Sequence, residues 1–379
     1  MFKVKPTFVD LFCGCGGFGL GAELAGFKSL ASVDIDKNLQ HSYKLNFPEA
    51  KVILGDVSTL DESFWNETIG SERPDAVIGG PPCQGFSRIG LRQPEDPRNN
   101  LVEHFFRQIQ ILKPKFFIME NVEGILDARN EAVLLQAMKL VESDYKIIGP
   151  FKINALNCGA ATSRKRVVVV GYDSNSVLQP SEMKLISPSE QAVTVRDAIS
   201  DLPSPFDESQ FLVSGYEFVP LKRKNRKLSP YANFLNSNFP DGLGADFALQ
   251  QLKKGSVTGV MRTVHTEAVI QRFKNTPPGM VESISRYPRL SWDGHCPTLR
   301  AGTGSDKGSF QAMRPIHPSE PRVITVREAA RLQGFPDWFL FHPTIWHSFR
   351  MIGNSVSPVM ANYLMSIMKD CLLGFSKDL

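Results

Sequence analysis

The sequence predicts an α/β fold: a doubly wound, mostly parallel sheet with a second, smaller, loop-rich domain attached. Three observations carry this. The chain has 379 residues, more than one small domain needs. Its first 175 or so residues alternate short apolar runs with amphipathic ones, the pattern of a parallel sheet covered by helices on both faces. After about Gly171 that rhythm breaks, and Ser, Pro and Gly become frequent.

Taken in chain order, Thr7–Phe12 reads as a strand and Gly17–Ala25 as a helix. Lys28–Val33 is a strand and Lys37–Asn46 a helix. Further strands are expected at Lys51–Leu54, Ala76–Ile78, Phe116–Met119 and Val167–Val170, with helical spacing at Leu101–Leu112 and Ala132–Leu140. Helical spacing returns at Val326–Leu332 and Pro358–Leu373. The terminal helix is expected to pack back on the first domain. That gives a discontinuous domain of residues 1–180 and 345–379, and a loop-rich one of 181–344.

Hydrophobic residues make up 42% and charged residues 22%, enough for a sizeable core. No window approaches a membrane span, and the start shows no secretory pattern, so a soluble, cytoplasmic monomer is expected. The six cysteines form no C-x-x-C pair, which argues against a zinc site or a disulfide framework. The seven histidines show no ligand spacing, and no metal is assigned. Residues 181–344 carry 20 Lys and Arg against 16 Asp and Glu, while the remainder carries 23 against 23. The whole net charge of +4 therefore lies in the loop-rich part, as a polyanion-facing surface requires.

Gly14-Cys15-Gly16-Gly17-Phe18-Gly19 follows the first strand and opens a helix, with Asp34 placed 20 residues after Gly14. This fits a dinucleotide site and equally a site for S-adenosylmethionine. Both need backbone donors at a helix N-terminus and an acid for ribose hydroxyls. A plain structural turn is the third reading.

Gly79-Gly80-Pro81-Pro82-Cys83-Gln84-Gly85-Phe86-Ser87 follows the fourth strand, at the carboxyl edge where such sheets bind ligands. A free cysteine is more often buried and inert. Two prolines and flanking glycines at a sheet edge favour an accessible nucleophile instead. Met119-Glu120-Asn121-Val122 comes directly after the strand from Phe116, at the same edge. A thiol and a carboxylic acid then face one cleft. Such a pair suits addition to cytosine: a thiolate at C6 raises electron density at C5, and an acid at N3 eases the addition. C5 can then take a methyl group, a base removes its proton, and the thiol leaves. A hydride-transferring enzyme has no use for this pair.

These motifs, in this order, resemble the DNA (cytosine-5) methyltransferase family, of the S-adenosylmethionine-dependent, bacterial modification-enzyme type. Asp10–Gly17 looks like its cofactor loop, Pro82-Cys83-Gln84 like its nucleophile motif and Glu120-Asn121-Val122 like its cytosine-binding motif. Arg164-Lys165-Arg166 resembles its paired arginines, Arg327–Pro336 the segment supporting its recognition domain, and Gly353-Asn354-Ser355-Val356 its closing cofactor motif. The resemblance implies a Rossmann-like methyltransferase domain with a target recognition domain. It implies methyl transfer to C5 of a flipped cytosine in a specific duplex sequence, through a Cys83–C6 adduct, leaving S-adenosylhomocysteine and using no metal.

By that resemblance Cys83 is the nucleophile, Glu120 binds N3 and the exocyclic amine, Arg166 holds O2 and Arg164 supports the same site. Asp10, Phe12, Cys15, Gly16 and Gly17 would hold the cofactor from the glycine-rich turn. Asp34, Ile35, Asp56, Val57, Pro82, Leu101, Asn354 and Val356 would complete its pocket. Pro81, Gln84, Ser87 and Thr298 would touch the substrate. The sequence departs from the family at Cys158–Ser163, before the arginines, at Asp34 where Glu is usual, and at Ile35 where an aromatic often packs on adenine.

Alternation puts Arg164 and Arg166 on one face, which favours joint use over a solvated pair. Lys222–Lys227 holds five basic residues in six, either a solvated loop or a phosphate contact. Asp96–Asn100 reads as a lid or a turn, Gly302–Ser305 as a close approach to DNA or a linker. His104 and His265 read as surface or packing residues. The expected partner is double-stranded DNA, with a cognate restriction endonuclease acting separately where one exists. The rival readings are a tRNA cytosine-5 methyltransferase, a nicotinamide dehydrogenase and an inactive DNA-binding regulator.

Overall fold

The computed structural model describes residues 5–82, 101–205, 212–221, 228–237, 239–301 and 314–375. The first part alternates β1 (Thr7–Leu11), α1 (Gly17–Leu24), β2 (Lys28–Asp34), α2 (Lys37–Asn46), β3 (Val52–Leu54), α3 (Glu62–Ile69), β4 (Ala76–Gly79), α4 (Leu101–Leu112), β5 (Phe116–Asn121) and α5 (Ala128–Met138). It continues through β6 (Lys146–Asn154), β7 (Thr162–Ser163) and β8 (Lys165–Tyr172). The main sheet has seven strands in the order β3-β2-β1-β4-β5-β8-β6. Its first five are mutually parallel; β8 runs antiparallel to β5, and β6 antiparallel to β8.

The doubly wound expectation therefore holds, with an antiparallel end that the rhythm alone did not show. The missed strand is β6. Gly149-Pro150 interrupts its apolar pattern. The structure absorbs it as a register shift between Ile148 and Phe151 on an edge strand, where a proline costs no ladder bond to a further neighbour.

Strand alternation divides the core between two faces. Val168 and Val170 of β8 face a cluster with Phe8, Phe27, Phe116 and Ile118. Val167 and Val169 face the other, with Val9, Val77, Phe105, Phe117 and Trp65. The first face is covered by α1 and by α13 (Pro358–Phe375), whose Met360, Leu364, Met365 and Met368 are buried there. The second is covered by α3, α4 and α5, through side chains such as Trp65, Ile109 and Leu134. The return of the C-terminal helix to the first domain's sheet follows from this apolar stripe.

The intervening chain forms α6 (Glu182–Ile186), α7 (Val195–Ile199), α8 (Pro230–Ser237), α9 (Asp246–Lys253), α10 (Glu267–Asn275), α11 (Val326–Gln333) and α12 (Ile345–Asn354), joined by long loops and two-residue strands. A third core cluster unites Val195, Leu332, Phe335, Trp338 and Phe349 from this stretch with Leu20, Leu39 and Tyr43 from α1 and α2. Helix α11 starts at a capping box in which Thr325 and Glu328 each satisfy the other's backbone N–H. Its residues are buried throughout, and Arg327 spends its guanidinium on Thr258, Pro336 and Phe339 oxygens. Among the described residues no helix is long and apolar enough to cross a membrane.

Candidate active site

β1 ends in a turn whose backbone is unusual. Phe12, Gly14 and Gly16 take φ of 58°, 56° and 99°. Positive φ is costly for a side chain, so the strain at Phe12 marks a site that the surrounding fold imposes. A methyl on Gly14 would meet nothing within 4 Å, so the turn faces open space there. A methyl on Gly17 would strike Ser355 Oγ and the Val356 carbonyl oxygen. The first helix thus starts in direct contact with the segment after Asn354, the exposed last residue of α12. Gly17→Ala is expected to cost about 1–3 kcal/mol by overpacking, read as a lowered denaturation midpoint at unchanged slope.

At the end of β2, Asp34 accepts from Gly14 N–H and from Asp36 N–H, both at 2.8 Å. Each oxygen keeps a second lone pair. Ile35 beside it is 70% exposed. Asp56 caps the turn at Val57–Thr59 through Ser58 N–H at 2.8 Å, and Val57 is buried. Arg107 and Gln108 of α4 hold that turn by the Val57 carbonyl, and Leu101 opens the same helix. Buried Asp10 has its carboxyl pushed well up by burial and then by Asp34, with Gly19 N–H opposing. An open glycine turn, a carboxylate at the strand end and an exposed apolar neighbour fit the carboxylate, ribose and adenine of S-adenosylmethionine. Among the described residues no group of three or more His, Cys, Asp or Glu is placed to hold a metal.

Glu120 and Arg166 form the second centre. Glu120 lies inside β5, paired with Val168, rather than beyond the strand as its sequence position suggested. Both residues are 8% exposed, and Arg166 Nε lies 2.6 Å from Glu120 Oε1. A methyl on Gly80 would sit 3.3 Å from Glu120 Oε2. Asn121 Nδ2 donates to the Pro81 carbonyl at 3.0 Å. The end of β5 therefore grips the chain leading into the Cys83 motif. Cys83, Gln84 and Ser87 lie outside the described residues, as do Asp96–Asn100, Lys222–Lys227 and Gly302–Ser305.

Arg164 points elsewhere. It is 1% exposed, and its guanidinium donates to Leu299 O at 3.2 Å and Gly353 O at 2.9 Å. Arg166 meets the acid, and Arg164 ties its strand to the chain before Ala301 and to α12. Thr298 adds a hydrogen bond from its hydroxyl to Ser163 O at 2.7 Å, and Cys296–Pro297 pairs with β7. Gly80, Asn121 and Gly353 stand inside the quoted motifs, but the sequence reading gave none of them a role of its own.

The remaining thiols are unsuited to attack. Burial pushes Cys15 and Cys158 up to about 12, and raises Cys13, Cys296 and Cys371 as well. His265 packs its ring edge-on against Phe273, as a packing residue does.

The profile of the family described as C-5 cytosine-specific DNA methylase matches residues 6–370. Type II methyltransferase M.XorII of Xanthomonas oryzae pv. oryzae is 41% identical over 94% of this chain and 83% of its own length. Type II methyltransferase M.DdeI of Desulfomicrobium norvegicum is 31% identical over 94% of this chain and 87% of its own. Among solved structures, an Escherichia coli prophage chain described as a DNA modification methyltransferase superposes with a TM-score of 0.86 at 38% identity, covering 97% of this chain and 99% of that one. The S. pombe Dnmt2 methyltransferase shares the fold, with a TM-score of 0.57 at 15% identity over 97% and 99% of the two chains.

Proposed function

Because the chain belongs to the C-5 cytosine-specific DNA methylase family, we propose that it methylates C5 of a cytosine flipped out of a specific duplex sequence, as a modification enzyme of the type II kind. The observation that carries the reading is the buried Glu120–Arg166 pair beside Gly80, three residues before Cys83 in the chain.

In this reading the duplex lies between the part formed by residues 1–180 with 345–379 and the recognition part at 181–344. A stacked cytosine is out of reach, so the base leaves the stack at a cost of a few kcal/mol. The Cys83 thiolate adds to C6, and the ring's electron pair moves toward C5 and N3. Glu120 donates at N3 and accepts from the exocyclic amine, while Arg166 fixes the carboxyl's orientation and donates to O2. S-adenosylmethionine, when bound, supplies an electrophilic sulfonium methyl. Asp34, Asp56 and the turn at Phe12–Gly17 would hold it, with Asn354 and Val356 closing the pocket. Loss of the C5 proton to a base then expels Cys83 and restores the aromatic ring.

Glu120→Gln keeps the shape but cannot deliver a proton. It is expected to lower the methylation rate by about 10²–10⁴-fold while duplex binding persists. Bisulfite sequencing of DNA from cells expressing the protein tests the function as a whole. Protected cytosines at one recurrent sequence are expected. Methylated tRNA with unmodified DNA would overturn the choice of polynucleotide.

A further inference from the structure

Among the described residues the most deeply buried arginines have partners. Arg166, Arg322 and Arg331 each reach a carboxylate. Arg164, Arg289 and Arg327 each reach backbone carbonyls. Arg314 differs. Its guanidinium lies over the Phe349 ring, 4.9 Å from the centroid, and its Nε is buried with no hydrogen-bond partner. Among the described residues it forms no ion pair. Burial lowers the guanidinium's affinity for its proton, with Tyr287 opposing. A partly desolvated cation over an aromatic ring, with no carboxylate partner among the described residues, is poised for an anion brought from outside.

Its place in the fold says which anion. Phe349 lies one turn before Gly353 on α12, on the same side of the helix. Gly353 O accepts from Arg164, and a methyl on Gly353 would lie 2.7 Å from the Arg300 carbonyl carbon. Arg314 thus stands against the helix that accepts from Arg164, the arginine two residues before Arg166. It also belongs to the stretch that holds the chain's whole positive excess.

We propose that Arg314 binds a backbone phosphate of the target duplex and so positions the DNA against the base site without reading sequence. This rests on the reading that the chain acts on duplex DNA. The fork of an arginine matches a phosphate's oxygens, and phosphate contacts set register while base edges carry specificity.

The test uses the full chain and a duplex bearing its mapped site. Arg314→Gln keeps a planar group over Phe349 and removes the charge. It is expected to raise the KM for DNA about tenfold, with a smaller change in kcat. The plot of log affinity against log salt should become shallower by about one ion. Arg314→Lys should keep that slope. A purely structural Arg314 would lower the melting temperature in both variants and leave the slope unmoved, which overturns the proposal. A shallower slope in the Lys variant overturns it too, and this arm stands even where the Gln variant does not fold. If the wild-type chain binds duplex with this Arg314-dependent slope yet methylates no DNA, the functional reading fails and the phosphate contact survives.

Discussion

Cys83→Ser is expected to abolish methylation, by at least about 10⁴-fold in turnover, while cofactor binding measured by calorimetry is unchanged. A serine hydroxyl has no thiolate's nucleophilicity at neutral pH, so the first bond to C6 does not form. No other described thiol can substitute. Cys15 and Cys158 are pushed up to about 12 by burial, and Cys13 and Cys296 lie equally enclosed. The proposed cofactor residues sit on different elements: Asp34 on β2, Asp56 in the turn after β3, Asn354 on α12. A duplex with 5-fluorocytosine at the target separates attack from later steps, since fluorine at C5 blocks the final proton loss. The wild type should remain covalently attached to it and Cys83→Ser should not. Turnover retained in the serine variant would sink the covalent mechanism.

How legible this site was depends on distance along the chain. Lys37–Asn46 and Leu101–Leu112 are helices in the sequence pattern and in the structure, because apolar periodicity is a short-range signal that packing then uses directly. The glycine turn and the end of β5 were legible for the same reason: strand, turn and helix follow one another locally. Arg164 was not. Its acceptors are carbonyls of Leu299 and Gly353, 135 and 189 positions away, and every residue type carries a backbone carbonyl. A long-range bond to backbone leaves no mark in composition or spacing. The strand β6 was missed for another reason, since Gly149-Pro150 breaks its apolar alternation and only pairing with β8 restores the strand.

Arg331→Met is expected to be the most destabilising single change in the part that faces the glycine turn. Arg331 is 0% exposed. It donates through Nε to Asp337 Oδ1 at 2.8 Å and through Nη2 to Asp337 Oδ2 at 2.7 Å, and its Nη1 meets Asp201 and Ala198 O. Asn236 adds a bond to Asp337 at 2.9 Å, so α7, α8 and α11 meet at one charge. Removing the guanidinium strands two carboxylates, at a cost of about 3–5 kcal/mol, with a fall in melting temperature on the order of 10 °C. The pH dependence separates this cause from lost packing. Burial pushes the Asp337 carboxyl up, but Arg331 outweighs it and holds the acid below its usual range. That stabilisation is complete above the unfolded value near about 3.9 and is lost as pH falls through the lower folded one. Without Arg331 the same burial raises the acid, so protonation relieves the strain. The stability gap between wild type and Arg331→Met, measured by urea unfolding, should therefore begin to shrink above about 4, where the variant's raised acid takes up its proton, and shrink further below it as the wild type loses its ion pair. Adding Asp201→Asn and Asp337→Asn should recover much of the loss at neutral pH, because neutral amides leave no buried charge unpaired. A gap that stays constant with pH would mean that shape, not charge, holds α11. The consequence reaches the site, since Gln333 at the end of this helix bonds Ser355 O at 3.1 Å, and Ser355 is what Gly17 packs against.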